Sequence, residues 1–159
     1  MAPTKPYEGS IRAMRDAMSA ERAVPEPLLS ASAVYDDADE GAIAAARAFT
    51  SDFLTAVPAV RYGPLTADRI DLAKLVVSEL VTNARRHAPG PCRLLLELRR
   101  DALEISVFDG VAAAPVPRGH DPRRIGQHGV EIVVAVCESV TVEPHAAGKR
   151  VRARLSLLP

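Results

Sequence analysis

Apolar residues recur at helical spacing in two long segments of the chain. The first runs from Asp39 to Val57, where carboxylates at the start favour the helix dipole and Pro58 ends the pattern. The second runs from Thr66 to His87 and has a broader apolar stripe. Thr66 is suited to an N-cap, and Asp68 lies in the first turn. The pattern therefore predicts two helices.

Shorter downstream segments alternate apolar and polar residues, which is typical of strands. Residues 93–99 and 102–109 predict a hairpin, and residues 140–143 and 150–158 predict two more strands on either side of a turn. The segment 129–138 predicts a short apolar helix, although its β-branched residues would also suit a strand.

The order of these elements predicts a two-layer α+β sandwich, a mostly antiparallel sheet with helices on one face. We expect one domain over residues 34–159. Residues 1–33 contain several prolines and little apolar pattern, and they predict an arm that is partly disordered or contacts a second subunit. Residues 110–128 form a long connection rich in Pro, Gly, Arg and His, which is typical of a lid or binding loop.

Charge and composition narrow the functional classes. The chain has 159 residues, with 20 basic and 20 acidic side chains, so it lacks the basic excess of a typical nucleic-acid module. No apolar run is long enough to span a membrane, and the first residues lack a signal-peptide core. Cys92 and Cys137 lie far apart, as expected in a reducing compartment. We expect a cytoplasmic protein without direct nucleic-acid or membrane contact.

Two pairs of residues suggest chemistry. Glu79 and Asn83 lie four residues apart and share a helix face. A carboxylate and an amide oxygen placed in this way can hold Mg²⁺, whereas the alternative is a solvated polar face. Asp109 and Gly110 close a predicted strand, where the carboxylate can accept a hydrogen bond from an exocyclic amine such as that of adenine. The alternative is an ordinary Asp-Gly turn.

Two glycine motifs add weaker signals. Gly126 to Gly129 leads directly into the predicted third helix, whose N-terminal N–H groups suit phosphate, and the alternative is an ordinary helix start. Gly148 and Lys149 lie in the last predicted turn, where a solvated lysine is the simple interpretation.

Together and in this order, these motifs resemble those of a known family. The segment L-V-V-S-E-L-V-T-N-A-R-R-H-A is similar to the N-box of the GHKL superfamily, which has the Bergerat (histidine-kinase-like) ATP-binding fold. The closest branch is the bacterial anti-sigma-factor serine kinases and their stand-alone ATPase-domain relatives. The resemblance covers roughly residues 39–158 and includes A-R-A-F-T, V-F-D-G, V-P-R, G-Q-H-G-V-E-I-V and G-K-R-V.

The resemblance implies roles for individual residues. Glu79 would act as the general base or position the attacking group, Asn83 would ligate Mg²⁺, and Asp109 would bind the adenine amine. Further contacts to ATP or ADP would come from His87, Gly110, Gly126, His128, Gly129 and Lys149. The implied function is an ATP-binding anti-sigma factor, a regulator of transcription that transfers phosphate to a serine of an anti-sigma-factor antagonist. A bound sigma factor and a homodimer are also implied.

Three positions depart from the family pattern. Val111 stands where the adenine motif has glycine, Gln127 precedes the lid glycine, and Arg150 replaces a threonine near the base. All three belong to the expected nucleotide cradle, and a side chain in place of glycine hinders close approach of the backbone. The alternative prediction is a non-catalytic regulatory module with a degenerate nucleotide site, acting by holding a protein partner.

Overall fold

The computed structural model describes residues 25–36, 38–57, 65–88, 90–110, 127–145 and 148–158. Three helices and five strands lie in these ranges. In chain order they are β1 (Leu29–Tyr35), α1 (Ala42–Thr55), α2 (Ala67–His87), β2 (Cys92–Leu98), β3 (Ala102–Phe108), α3 (Gln127–Val136), β4 (Ser139–His145) and β5 (Gly148–Ser156).

The strands form one antiparallel sheet in the order β1-β2-β3-β5-β4. Helix α2 packs on β2, β3 and β5, α1 lies beside α2, and α3 contacts α2 and β4. The helices therefore cover one face of the sheet, and the predicted α+β sandwich is confirmed. Among the described helices, none combines the length and the apolar character of a membrane span.

The core lies between α2 and the middle of the sheet. Alternate residues of β2 are buried, and the antiparallel register places Leu94 opposite Val107 and Leu96 opposite Ile105. Buried Val77 and Leu80 belong to the α2 face that packs on these strands. Because one face of each central strand is apolar, a shift of register by one residue would expose the whole core face.

The start of α2 follows the prediction, whereas the start of α1 does not. The Arg69 backbone N–H donates to Thr66 Oγ1 over 3.3 Å, which confirms Thr66 as the N-cap. Helix α1 begins at Ala42, three residues after the predicted position. The Asp39 carboxylate accepts a hydrogen bond from the Gly41 N–H at 2.8 Å, which forms a turn before the helix.

Strand β1 was missed by the sequence analysis, which placed residues 1–33 in an arm. Its register sets Ala31 opposite Leu96 and Ala33 opposite Leu94, and Tyr35 is buried against the core. Since serine and alanine supply most of its side chains, the apolar alternation is too weak to recognise from sequence. Residues 1–24 lie outside the described residues, and for them the arm stays a prediction.

Helix α3 and strand β4 decide two further expectations. The segment starting at Gln127 is a helix rather than a strand, and its residue Val133 is fully buried. Strand β4 extends through Pro144, which the sequence analysis had assigned to a turn. Because β4 lies at the sheet edge, a proline there costs little pairing. Residues 111–126 of the predicted lid lie outside the described residues.

Candidate functional site

Glu79 and Asn83 lie one turn apart on α2, and both are half-buried. Helix α3 approaches this face closely at Gly129. A Cβ atom at position 129 would overlap the Glu79 carboxylate, so only glycine allows this approach without moving Glu79. The structure thus brings together Glu79 and Gly129, two residues that the sequence analysis had assigned to one site. We call Glu79, Asn83 and Gly129 the helix half of the site.

The donor set of the helix half suits a hard cation. Within the described residues, neither the Glu79 carboxylate nor the Asn83 amide makes a hydrogen bond or an ion pair. Groups of three or more His, Cys, Asp or Glu side chains that would cage a metal are also absent from that part of the chain. Magnesium needs no such cage, because it keeps several waters and commonly takes only one or two protein oxygens beside substrate phosphates.

Asp109 follows β3, and its side chain is only 3% exposed. Backbone hydrogen bonds join it to β5: the Asp109 N–H donates to the Lys149 carbonyl at 3.0 Å. The Lys149 N–H donates to Asp109 Oδ1 at 3.3 Å, and Lys149 Nζ lies 3.6 Å from Asp109 Oδ2. Lys149 is therefore not the solvated turn lysine of the simple interpretation. Asp109, Gly110 and Lys149 form the strand half of the site.

Gly110 does not form the hairpin turn that its sequence allowed. Its φ lies outside the left-handed region, whereas an Asp-Gly type I′ turn requires positive φ. A Cβ atom at position 110 would meet nothing within 4 Å. Neither the backbone conformation nor the neighbouring described atoms therefore require glycine at this position.

The two halves lie at the same end of the sandwich. Cys92 begins β2 directly after the α2–β2 connection, and burial raises the pKa of its thiol. The Arg85 guanidinium lowers that pKa and the Asp109 carboxylate raises it, so both charges lie close to the same sulfur atom. Arg85 also donates to the Asp39 carbonyl at 2.8 Å, linking α2 to the turn before α1. The sequence analysis did not assign Arg85 to the site. The three basic residues in the last turn of α2 were a signal for positive charge at this end of the helix.

The remaining predicted contacts divide into two groups. His87 is exposed in the last turn of α2, at the same end as Asp109. Gly126 and the side chains of Gln127 and His128 lie outside the described residues, as does Val111. Their assignment to the site stays a prediction.

Arg150 was expected in the nucleotide cradle, and this expectation is wrong for its side chain. Arg150 Nε and Nη2 donate to Ser106 Oγ at 3.1 and 2.9 Å, on the sheet face away from the helices. Alternation along β5 explains the placement, because Val151 opposite Val107 faces the core. The residue of β5 that reaches the site is Lys149.

The residues present fit Mg²⁺ with a nucleotide. The helix half offers two oxygen ligands, and the absence of a Cβ atom at position 129 leaves room for the Glu79 carboxylate. The strand half offers a buried carboxylate, and a carboxylate has about four acceptor positions, so Asp109 can accept an amine while it remains bound to Lys149.

Comparison with protein families supports the same assignment. The family model described as histidine kinase-like ATPase domain matches residues 37–155. A comparison with curated proteins finds no match. The matched range begins before α1, ends within β5 and includes both halves of the site. The chain belongs to the histidine kinase-like ATPase domain family.

Proposed function

We propose that this protein binds Mg-ATP at the two-part site and acts as a regulatory serine kinase of the anti-sigma-factor type. The observation that carries the proposal is the close packing of Gly129 against Glu79, one helical turn from Asn83. This arrangement holds the Glu79 carboxylate beside α3, and both Glu79 and Asn83 are half-buried on one helix face, where the chain can present them to a ligand. The family membership supports nucleotide and Mg²⁺ as that ligand.

Each residue would have a distinct task. Asn83 would hold Mg²⁺ through its amide oxygen, and Asp109 would accept a hydrogen bond from the adenine amine. Mg-ATP would supply the phosphoryl group together with the charge that neutralises it. Glu79 would accept the proton of a serine hydroxyl on the partner, because its carboxylate is held at α3 without a competing ion pair among the described residues.

The protein partners in this proposal rest on the sequence resemblance. They are an anti-sigma-factor antagonist that carries the acceptor serine and a sigma factor that the protein masks. We place the protein in the cytoplasm, where both partners would work, and we propose a homodimer as its assembly. These partners agree with a balanced net charge, which gives no general attraction to DNA.

A second candidate function has its own supporting observation. Lys149 already neutralises Asp109, and a nucleotide must share that carboxylate with the ammonium group. If sharing costs too much affinity, the protein would be a non-catalytic module that holds its partner. Val111, which departs from the family pattern, points in the same direction.

Transfer of labelled phosphate separates the two candidates. The full chain is incubated with Mg²⁺, γ-labelled ATP and a serine-bearing antagonist protein. Label on the antagonist is expected with the natural chain and with Asp71→Asn, an exposed position on the same helix. Glu79→Gln should abolish transfer and retain ATP binding. Binding of ATP without transfer by the natural chain would favour the non-catalytic module.

A further inference from the structure

The face of the sheet away from the helices, which we call the open face, carries charged rows across the strands. At its end near the β2–β3 turn, arginine side chains of this face pair with carboxylates. Arg99 Nη2 lies 3.1 Å from Glu104 Oε2, and Arg154 Nη1 lies 3.2 Å from Glu104 Oε1. Arg154 also contacts Asp101 at 2.8 Å. A cavity of about 510 Å³ lies at this end, and two of the arginines that line it, Arg99 and Arg154, already bind carboxylates.

The opposite end of the open face differs. Phe108 lies there between Arg93 of β2 and Arg150 of β5, its register partners on the two neighbouring strands. The guanidinium carbons lie 4.3 and 5.2 Å from the ring centroid, within the range of cation–π attraction. The His145 ring meets Phe108 edge-on at 5.0 Å. We call Arg93, Phe108, Arg150 and His145 the cationic cluster.

Positive charge at the cationic cluster is only partly compensated. Arg93 is exposed and makes no ion pair or hydrogen bond within the described part of the chain, so stacking on Phe108 holds it. The nearest carboxylate to Arg150 is that of Glu97, at 3.7 Å, and Glu97 also pairs with Arg99. Glu143 is engaged by Arg152 at 2.8 Å. The cluster therefore presents a fixed guanidinium with unused donors.

The neighbouring strand adds apolar surface. Val34 of β1 is opposite Arg93 in the register and is 67% exposed. Strand β1 lies at the sheet edge and has neither a charged residue nor a proline, the usual features that discourage pairing with another strand. An occupant of this surface therefore meets apolar side chains, an open strand edge and a cation together.

We propose that the cationic cluster and β1 form a docking surface for an extended acidic segment of a protein partner. Carboxylates are the side chains that match a guanidinium with two parallel hydrogen bonds. The exposed valine and the strand edge favour an extended peptide with alternating apolar residues, because strand addition places alternate side chains on one face. The surface lies across the sheet from Glu79 and Asn83, so it is separate from the proposed nucleotide site.

Fluorescence anisotropy with a defined peptide tests the proposal. The probe is a labelled peptide of about ten residues with alternating Glu and Val, long enough to pair along one strand. The full chain should bind it without nucleotide, and Arg93→Ala should weaken binding about tenfold or more. The peptide affinity of Arg93→Lys should lie between those of the natural chain and Arg93→Ala. Lysine keeps the positive charge but lacks the planar guanidinium that forms two parallel hydrogen bonds.

Matched controls separate the cluster from general electrostatics. Arg100→Ala removes an exposed arginine from the opposite end of the same sheet and should leave the affinity unchanged within about twofold. The same peptide with Lys in place of Glu should not bind. Because the net charge of the chain is zero, overall attraction to an anion predicts neither difference.

Three outcomes would overturn the proposal. The first is absence of binding at millimolar peptide. The second is an equal loss of peptide affinity in Arg93→Ala and Arg100→Ala. The third is Arg93-dependent binding of single-stranded DNA of similar length that is tighter than binding of the peptide. Absence of Mg-ATP binding by the natural chain, together with intact peptide binding, would overturn only the proposed kinase function. Each failure is therefore distinguishable from the other.

Discussion

The two halves of the candidate site differ in how their polar groups are satisfied. In the helix half, Glu79 and Asn83 have no polar partner among the described residues, and Gly129 leaves room for the Glu79 carboxylate. In the strand half, Asp109 accepts from the Lys149 N–H and lies 3.6 Å from its ammonium nitrogen. The helix half thus leaves its oxygens available to a ligand, whereas in the strand half the Asp109 carboxylate already has a protein partner.

This difference has a physical consequence for binding. A ligand gains most affinity where it meets preorganised groups that have no other partner. We therefore expect Mg²⁺ and phosphate to supply most of the binding free energy, with a smaller share from the adenine contact at Asp109. Substitutions in each half separate these contributions.

The largest expected effect comes from Asn83→Ala. Removing the only amide oxygen of the helix half should eliminate the Mg²⁺-dependent part of ATP binding, a loss of about 100-fold, the upper end of the effects seen for groups around a metal. Isothermal titration calorimetry with and without Mg²⁺ measures it. Thr82→Ala, next along the helix, is the matched control and should retain the Mg²⁺ dependence. Unchanged Mg²⁺-dependent affinity in Asn83→Ala would remove Asn83 from the site.

The next effect is on folding. Asp109→Asn leaves Lys149, which is only 18% exposed, without its counter-charge, and we expect a loss of about 1–3 kcal/mol in the free energy of unfolding. Urea denaturation measures this loss. The control is Asp71→Asn, whose carboxylate is 73% exposed and lies 4.0 Å from Lys74, and it should cost less than about 0.5 kcal/mol. Equal losses of stability in the two variants would show that the Asp109–Lys149 contact does not stabilise the fold.

Two glycine substitutions provide the third test. Gly129→Ala should displace the Glu79 carboxylate and lower phosphate transfer, with stability changing by no more than about 1 kcal/mol since alanine favours the helix. Gly110→Ala meets open space and should raise stability by about 0.4–1 kcal/mol. Parallel transfer assays and urea titrations compare them. A transfer rate in Gly129→Ala equal to that of the natural chain would contradict the role of close packing.

The last test uses the two thiols as reporters of packing and requires no substitution. Burial, with a smaller contribution from the Glu138 carboxylate, raises the pKa of Cys137 to about 11 from its ordinary 9.0. Since only the thiolate reacts, a higher pKa lowers the reactive fraction at pH 8 about 100-fold, and alkylation should accelerate as the pH rises towards 11. Cys92 in the strand half is buried and should stay protected. Rapid alkylation of either thiol at pH 8, followed by mass spectrometry, would contradict this packing.

Much of the fold was predictable because strong local patterns determine it. The apolar stripe and the Thr66 cap gave α2 at its observed position, and alternation gave β2 and β3. Strand β1 was missed because alanine and serine leave no alternation to detect, and its stability comes from pairing with β2. Local pattern therefore failed where the partner strand supplies the structure.

The candidate site was predictable only in part. The Glu79–Asn83 spacing placed both residues on one helix face, whereas the contact with Gly129 depends on how α3 packs. The Lys149–Asp109 ion pair and the outward direction of Arg150 depend on the β3–β5 register, which the chain sequence does not display. Register decided which of two neighbouring basic residues reaches the site.

Calorimetric titration of the full chain with ATP, with and without Mg²⁺, shows whether the helix half holds metal and phosphate. We expect micromolar binding that depends on Mg²⁺, and we expect Asn83→Ala to bind about 100-fold more weakly and without that dependence. Absence of binding at millimolar ATP, or equal binding with and without Mg²⁺, would contradict the assignment of the helix half as the metal and phosphate site.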